Sequence, residues 1–327
     1  MKNSNKKKKL HFLFGDPLES FYQAIAIYLS RHYGFTEFSG LMWGHNQLRL
    51  LDRQKVNWTH IEVISDHIRT TLPSVKLDTN YLKEIEQKYG IPNFGLMIHS
   101  DRWFGKKPYK WVLKFLQMSV NLIERMYDKT QPDVVIIDPV ADLMSYLHYV
   151  IAVEKGIPCY SITNSRMPDR ISIDSGPYRL WKRVDQFFEE KLHRLSTTSE
   201  LTKAETFLEN FRQKKFRPLM GTQIHSTRDF FKYQYFLSFI RSITNWLMDP
   251  YNPVFYRPHQ LIITHLSRLI RHAATRLLHY FEKPVSGEKY VLYPLHFEPE
   301  ESTLIAAPYF VDQLSLIENI AINTASN

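Results

Sequence analysis

Acidic side chains stand directly after two apolar segments that have the composition of buried strands. Asp16 follows the segment at residues 10–15 (LHFLFG), and Asp138 follows the run Val134–Ile137. Open α/β sheets bind ligands at the carboxyl ends of their strands, where a carboxylate can accept a proton from a reacting hydroxyl. Each aspartate could instead cap the helix that follows it. The sequence alone leaves both interpretations open.

A second polar group lies after the apolar segment at residues 289–294 (KYVLYP). It consists of an imidazole and two carboxylates: His296, Glu298 and Glu300. An imidazole that titrates at about pH 6.5 can share a proton with a nearby carboxylate. Because the group follows a strand, His296 and Glu300 are candidates to contact a ligand at the carboxyl end of that strand. The alternative is a polar turn whose side chains cap the next helix.

The elements around Asp16 have the pattern of a parallel α/β layer. The strand at residues 10–15 is followed by a predicted helix from Leu18 to His32, in which apolar residues recur every three or four positions. Gly34 ends this helix. Further strands are predicted at Phe35–Met42 and near His60–Ser65. Strand, helix and strand joined by short connections predict a parallel sheet.

The elements around Asp138 predict a βαβ unit. A helix at residues 108–128 leads to the β-branched strand Val134–Ile137, which has the composition of a buried parallel strand. A helix at residues 141–155 and a strand at residues 157–164 follow. Asp138 therefore lies at the carboxyl end of a strand inside the sheet.

Helical patterns dominate the chain after Pro168. They cover residues 195–215, 226–247 and 258–282, and the segment DPYNP at residues 249–253 separates the last two. The aromatic residues of 226–247, flanked by basic residues, could lie on a membrane surface. Packing against neighbouring helices is the alternative and the more ordinary one.

Composition limits the possible classes of protein. The 327 residues carry a net charge of +9, which favours anionic partners, but the basic residues are dispersed and no nucleic-acid recognition module is found. The single cysteine, Cys159, cannot form an internal disulfide, which suits a cytoplasmic protein. No metal-ligand spacing or glycine-rich phosphate loop is found. Lys6–Lys9 belong to a basic tail.

Two segments resemble a known family, the capsule polysaccharide biosynthesis proteins, which include bacterial Kdo transferases. Residues 289–321 are similar to the start of the second domain in that family, in which a strand ends in Pro-Leu-His, a Pro-Glu pair follows, and an Asp-Gln pair opens a helix. The matching residues are Pro294, Leu295, His296, Pro299, Glu300, Asp312 and Gln313. Residues 165–174 (SRMPDRISID) are similar to an Arg-x-x-x-Arg segment after the fifth strand.

The resemblance implies an α/β protein of the GT-B glycosyltransferase type, with two Rossmann-like domains across a cleft. The expected divisions are a basic tail (1–9), a Rossmann-like acceptor-side domain (10–170), a helical connector (171–288) and the start of a second Rossmann-like domain (289–327). The implied catalytic residues are Asp138, His296 and Glu300. The implied substrate-binding residues are Asp16, Arg166, Arg170, Glu298 and Gln313. The two arginines would hold an anionic sugar or phosphate through their planar guanidinium groups.

The expected partners follow from the same resemblance. They are a nucleotide sugar such as CMP-Kdo and a glycan or glycolipid acceptor, with peripheral contact at the inner membrane and no cofactor, metal or nucleic acid. The chain departs from the family after the Asp-Gln helix, because it lacks the Lys-Glu-His-Pro segment and the Gly-Thr stretch that grips the nucleotide. We therefore expect a truncated second domain. Two functions stay open: a sugar transferase, and a non-catalytic remnant or accessory protein of the same pathway.

Overall fold

The computed structural model has one six-stranded α/β sheet. It describes residues 7–15, 18–51, 55–165, 170–176, 182–194, 196–213, 233–255, 257–278, 285–287, 289–296 and 311–324. The strands are β1 (Lys8–Leu13), β2 (Phe35–Met42), β3 (Trp58–Val63), β4 (Val134–Ile137), β5 (Cys159–Asn164) and β6 (Ile171–Asp174). Their spatial order is β3-β2-β1-β4-β5-β6. The first five are parallel, and β6 pairs antiparallel with β5. The predicted parallel α/β layer is thus confirmed.

Helices connect the strands and continue after them. The first seven are α1 (Glu19–Tyr33), α2 (His45–Leu48), α3 (Ile64–Thr70), α4 (Thr79–Lys88), α5 (Phe94–Ser100), α6 (Tyr109–Thr130) and α7 (Leu143–Glu154). The next five are α8 (Lys182–Leu192), α9 (Thr198–Arg212), α10 (Tyr233–Met248), α11 (Pro258–Leu277) and α12 (Gln313–Asn323). Gly34 ends α1 with φ of 74°, a conformation that glycine adopts without steric cost.

The core lies on both faces of the sheet. Along β4, Val135 and Ile137 pack into one cluster and Ile136 packs into the other, as the alternation of a strand requires. The first cluster contains α6 and α7, and it includes the fully buried Phe115. The second lies under α1. The sheet is therefore covered on both sides, which is typical of parallel sheets.

Two segments differ from the sequence prediction. Residues 289–296 have no regular secondary structure, so the strand predicted at residues 289–294 is wrong. Its apolar side chains, such as Leu292 at 79% exposure, have no neighbouring strand to cover them among the described residues. Conversely, β6 was not predicted, and it extends the sheet past residue 170. Four residues are too few for an alternating pattern to stand out.

The helical patterns after the sheet are confirmed where the structure describes them, as α9, α10 and α11. The break at residues 249–253 separates α10 from α11 as predicted. Helix α10 contacts the neighbouring helix α11, while its side chains Phe236, Leu237 and Ile240 are exposed. In the portion of the chain described, no helix is both long and apolar enough to cross a membrane.

Candidate functional site

The candidate site lies where the strand order reverses. From β1 the chain proceeds to β2 on one side, and it later returns to place β4 on the other side of β1. The connecting helices α1 and α7 consequently pack on opposite faces of the sheet. Parallel α/β sheets bind their ligands at such a reversal, in the crevice outside the carboxyl ends of the strands, which here are β1 and β4.

Asp138 lies in this crevice, directly after β4. It is half-buried, and its Oδ1 accepts a hydrogen bond from the hydroxyl of Tyr22 on α1. The backbone of Gly15, after β1, passes directly beside the carboxyl group. A Cβ atom on residue 15 would overlap this carboxyl, since even the farther oxygen, Oδ1, would be only 2.7 Å away. The glycine therefore makes room for the aspartate.

Burial sets the charge of Asp138. Desolvation raises its pKa to about 7, although the hydrogen bond from Tyr22 lowers it. The negative charges of Asp142 and Glu19 raise the pKa further. At neutral pH the group consequently exchanges a proton easily, as a general base or acid requires.

Two further carboxylates, the half-buried Asp142 and the buried Asp101, support the neighbouring backbone. Asp142 is the N-cap of α7, where it accepts hydrogen bonds from Ser145 N at 2.8 Å and Ser145 Oγ at 2.9 Å. Asp101 is 1% exposed, and its Oδ2 accepts from Leu143 N, the first residue of α7, at 2.8 Å. Its Oδ1 accepts from Trp103 N at 2.7 Å and Phe104 N at 2.9 Å. Asp101 thus joins its own loop to the start of α7.

These carboxylates also hold protons more tightly than ordinary aspartates do. Burial raises the pKa of Asp101 to about 6, with a further contribution from the charge of Asp142, against the effect of the three backbone donors. Burial likewise raises the pKa of Asp142, and its hydrogen bonds from Ser145 and Met144 oppose that rise. The edge of the sheet beside Asp138 is therefore a region of low polarity.

The structure rules out the helix-capping alternative for Asp138. It does not cap the following helix, because Asp142 does so. Its hydrogen bond runs instead to the side chain of Tyr22 on another helix. Asp138 is thus available at the crevice while Asp142 serves the helix terminus.

The structure places the other described candidates elsewhere. His296 is exposed, and its backbone N–H donates to Gln313 Oε1 at 2.7 Å, while Gln313 Nε2 donates to His296 O at 3.1 Å. The Gln313 side chain is therefore occupied by the backbone of residue 296. Arg170 is exposed at the start of β6. In the described residues, no hydrogen bond or ion pair links His296 or Gln313 to Asp138. Four candidates lie outside the described residues: Asp16, Arg166, Glu298 and Glu300.

Sequence reasoning missed three residues of this site. Asp142 could have been found from Ser145, because an aspartate three residues before a serine at the start of an apolar run is an N-cap pattern. Tyr22 and Asp101 have no comparable local signal. Tyr22 is 116 residues from Asp138, and Asp101 is 42 residues from Leu143. Only the fold brings each pair together.

A second polar cluster lies on the edge strand β3. Glu62 contacts His60 Nε2 at 3.1 Å through one oxygen and His67 Nε2 at 2.9 Å through the other. The contact with His67, followed by its charge and that of His60, lowers the pKa of Glu62 against the effect of burial. No spacing in the sequence groups these two histidines. The contact between His67 and Glu62 links α3 to β3.

The chain matches no protein-family model, and a search of the curated proteins gave no significant match.

Proposed function

We propose that this chain carries the acceptor side of a sugar transferase of surface polysaccharide biosynthesis. The observation that carries the proposal is the position of Asp138 at the reversal of strand order, with a pKa of about 7. The similarity of residues 289–321 to capsule polysaccharide biosynthesis proteins supports the class of reaction. A GT-B arrangement with a second Rossmann-like domain is part of the same proposal.

In this proposal Asp138 is the general base. Its carboxylate accepts the proton of an acceptor hydroxyl while that oxygen attacks the anomeric carbon of the donor sugar. The bond from this carbon to the donor phosphate breaks, and the nucleotide leaves with the bonding electrons. The Tyr22 hydrogen bond orients the carboxylate, and the buried surroundings keep its pKa close to neutral pH. The donor would be a nucleotide sugar such as CMP-Kdo.

The test combines binding and turnover. The purified chain is titrated with nucleotide sugars, including CMP-Kdo, and heat-unfolding shifts are recorded. Transfer to a glycan or glycolipid acceptor is then followed by mass spectrometry for any donor that binds. We expect Asp138→Asn to retain the donor shift and to lower the transfer rate by about 10²-fold or more. Transfer at the unaltered rate in Asp138→Asn would contradict the role of this residue.

A non-catalytic accessory role is the second candidate. It is favoured by residues 289–296, which form no strand and expose apolar side chains, and by the use of the Gln313 side chain to hold the backbone of His296. Unfolding temperatures that stay constant across the nucleotide sugars but rise with an acceptor glycan would favour this role. A saturable shift with one donor would favour the transferase.

Peripheral membrane contact belongs to the proposal as well. Phe236, Leu237 and Ile240 on α10 are exposed, as are Ile263 and Ile270 on α11. Neither helix contains an acidic residue, so a bilayer with anionic lipids would attract them. We expect co-sedimentation with anionic vesicles, weakened by Ile240→Asp. Equal sedimentation of this variant would argue against the contact.

A further inference from the structure

A small cationic pocket lies on the other side of the loop that Asp101 holds. It has a volume of about 170 Å³ and lies between residues 102–107 on one side and residues 253–255 and 260–264 on the other. Arg102, Lys106 and Lys107 line one wall. Phe255 and Thr264 line the opposite wall.

The two lysines of the pocket have no carboxylate partner among the described residues. In the ranges that the structure describes, no salt bridge joins Lys106, Lys107 or the neighbouring Arg257 to a carboxylate. Lys107 is half-buried, and its ammonium lies 5.9 Å from the ring centroid of Trp111, near the limit of a cation–π contact. Burial lowers the pKa of Lys107, and the charge of Arg257 lowers it further. Burying a cation without a counter-charge costs free energy, which an anionic ligand would recover.

We propose that this pocket binds the phosphate group of a phosphorylated sugar. A phosphate monoester carries a charge of about −1.5 to −2 at neutral pH, so it balances several cations better than a single carboxylate does. Arginine binds phosphate through two parallel hydrogen bonds, and lysine binds it as a point charge. The aromatic side chains of Trp103 and Phe255 at the pocket offer an apolar surface for a sugar ring.

The size of the pocket limits the ligand. A cavity needs roughly 10–15 Å³ of volume for each water molecule, so a pocket of about 170 Å³ corresponds to roughly 11–17 waters. Pockets that enclose a drug-sized ligand have volumes of about 300–1,000 Å³. The pocket therefore suits a phosphate and part of one sugar ring, and it is too small to enclose a whole nucleotide sugar.

The fold holds the cationic wall in place. Asp101 accepts hydrogen bonds from Trp103 N and Phe104 N, and the side chain of Phe104 is fully buried. Lys107 N in turn donates to Phe104 O at 2.9 Å. The backbone that carries the three cations is thus preorganised, so binding does not have to order a flexible loop.

The test measures binding to the full chain by calorimetry at constant ionic strength. Glucose 1-phosphate, inorganic phosphate and glucose are the ligands. We expect saturable binding of both phosphates and none of glucose. Lys106→Gln and Lys107→Gln should each weaken binding by about 5–10-fold, whereas Lys83→Gln, an exposed lysine on α4, should change it by less than twofold. Since no turnover is measured, the result does not depend on sugar transfer at Asp138.

The possible outcomes separate clearly. Tighter binding of glucose 1-phosphate than of inorganic phosphate supports the whole proposal, and equal binding supports the phosphate site but overturns the sugar contact. No saturable binding of either phosphate overturns the proposal. So does a loss in Lys83→Gln as large as that in Lys106→Gln, because the effect would then be one of general charge. If Lys107→Gln does not fold, the exposed Lys106 decides the result.

Discussion

The carboxyl group of Asp138 occupies the space in which a side chain on Gly15 would begin. An ideal Cβ on Gly15 would lie within 2.7 Å of both carboxylate oxygens. These residues follow the two strands, β1 and β4, between which the strand order reverses. Because Gly15 has no side chain, the carboxylate of Asp138 can lie directly beside its backbone.

Gly15→Ala should displace Asp138 and destabilise the fold. Overpacking a filled site typically costs about 1–3 kcal/mol, and we expect a loss of unfolding free energy in that range. Urea unfolding followed by circular dichroism measures it. The matched control is Gly176→Ala, because no atom lies within 4 Å of a Cβ built at that residue.

A double variant makes the prediction specific. In Asp138→Ala the carboxyl group is absent, so adding Gly15→Ala to it should cost clearly less than adding Gly15→Ala to the unaltered chain. Equal costs in the two backgrounds would show that Gly15 is required for a reason other than Asp138.

Asp138 should make the stability depend on pH between about pH 4 and pH 7. An aspartate in an unfolded chain titrates at about pH 4, whereas burial raises the pKa of Asp138 to about 7 in the folded protein. The folded state therefore binds the proton more strongly. The stabilisation that Asp138 gains from this proton is complete below pH 4 and is lost as the pH rises through 7.

Asp138→Asn removes the titrating group and so isolates this effect. The difference in unfolding free energy between the unaltered chain and the variant should fall by roughly 2–4 kcal/mol from pH 4 to pH 8. Urea titrations at four or more pH values measure the difference. Asp185→Asn on α8, where the side chain is exposed, is the control for the removal of one carboxylate. A constant difference in Asp138→Asn would mean that the pKa of Asp138 is not raised.

The sequence predicted those parts of the fold that local pattern determines. Strand β2 was predicted with its observed bounds, and α1 was predicted to within one residue, because the helix has a regular apolar period and ends at Gly34. The strand predicted at residues 289–294 does not form, because local pattern alone does not determine a strand. Its apolar and aromatic composition fits a strand, yet a strand forms only when another strand supplies hydrogen bonds.

The site could be predicted only in part. Asp138 was found because the carboxyl end of a buried strand can be recognised from sequence. Its partner Tyr22 was not, because tyrosine in an amphipathic helix has the same pattern whether its hydroxyl contacts an aspartate or another group. His296 and Gln313 were grouped by resemblance, and the structure joins them through the backbone of residue 296.

Two stacked histidines should make the protein sensitive to acid. His11 and His148 are fully buried with ring centroids 5.3 Å apart. His11 contacts Ser39 Oγ at 3.0 Å, and His148 contacts the hydroxyl of Tyr127 at 2.7 Å. Burial lowers the pKa of His11 to about 3, with a smaller contribution from the charge of His60, and it lowers the pKa of His148 as well. Both rings are therefore neutral in the folded protein.

The sign of this effect is opposite to that of Asp138. Histidine in an unfolded chain titrates at about pH 6.5, so below that pH the unfolded state binds more protons. The contribution of His11 is complete above pH 6.5 and is lost as the pH falls towards 3, with a total on the order of 5 kcal/mol. His11→Asn should flatten the acid limb of the stability curve. His193→Asn, an exposed control, should leave it unchanged, and an unaltered limb in His11→Asn would contradict the prediction.

Asp249 should hold the helices after the sheet against the carboxyl edge of β2 and β3. Its carboxylate is 6% exposed, and Oδ2 accepts from His45 N at 3.1 Å and from Ser65 Oγ at 2.7 Å. His45 and Ser65 lie in the first turns of α2 and α3, so one side chain binds both helix starts. Asp249→Ala leaves the buried hydroxyl of Ser65 and the partly buried N–H of His45 without this acceptor. A buried donor left unpaired costs about 1–3 kcal/mol.

We expect Asp249→Ala to loosen α10 and α11 before the rest of the fold unfolds. Among the described residues, α10 and α11 have no buried side chain, whereas Asp249 and Asn252 in the break between them are buried. The break therefore supplies the buried contacts of this helix pair. We expect limited proteolysis of Asp249→Ala to cut within residues 233–277 at least several-fold faster than in the unaltered chain, while the sheet remains protected. Asp185→Ala is the matched control. Equal cleavage rates in Asp249→Ala and this control would mean that other contacts fix the two helices, because the carboxylate of Asp249 would then be dispensable for their docking.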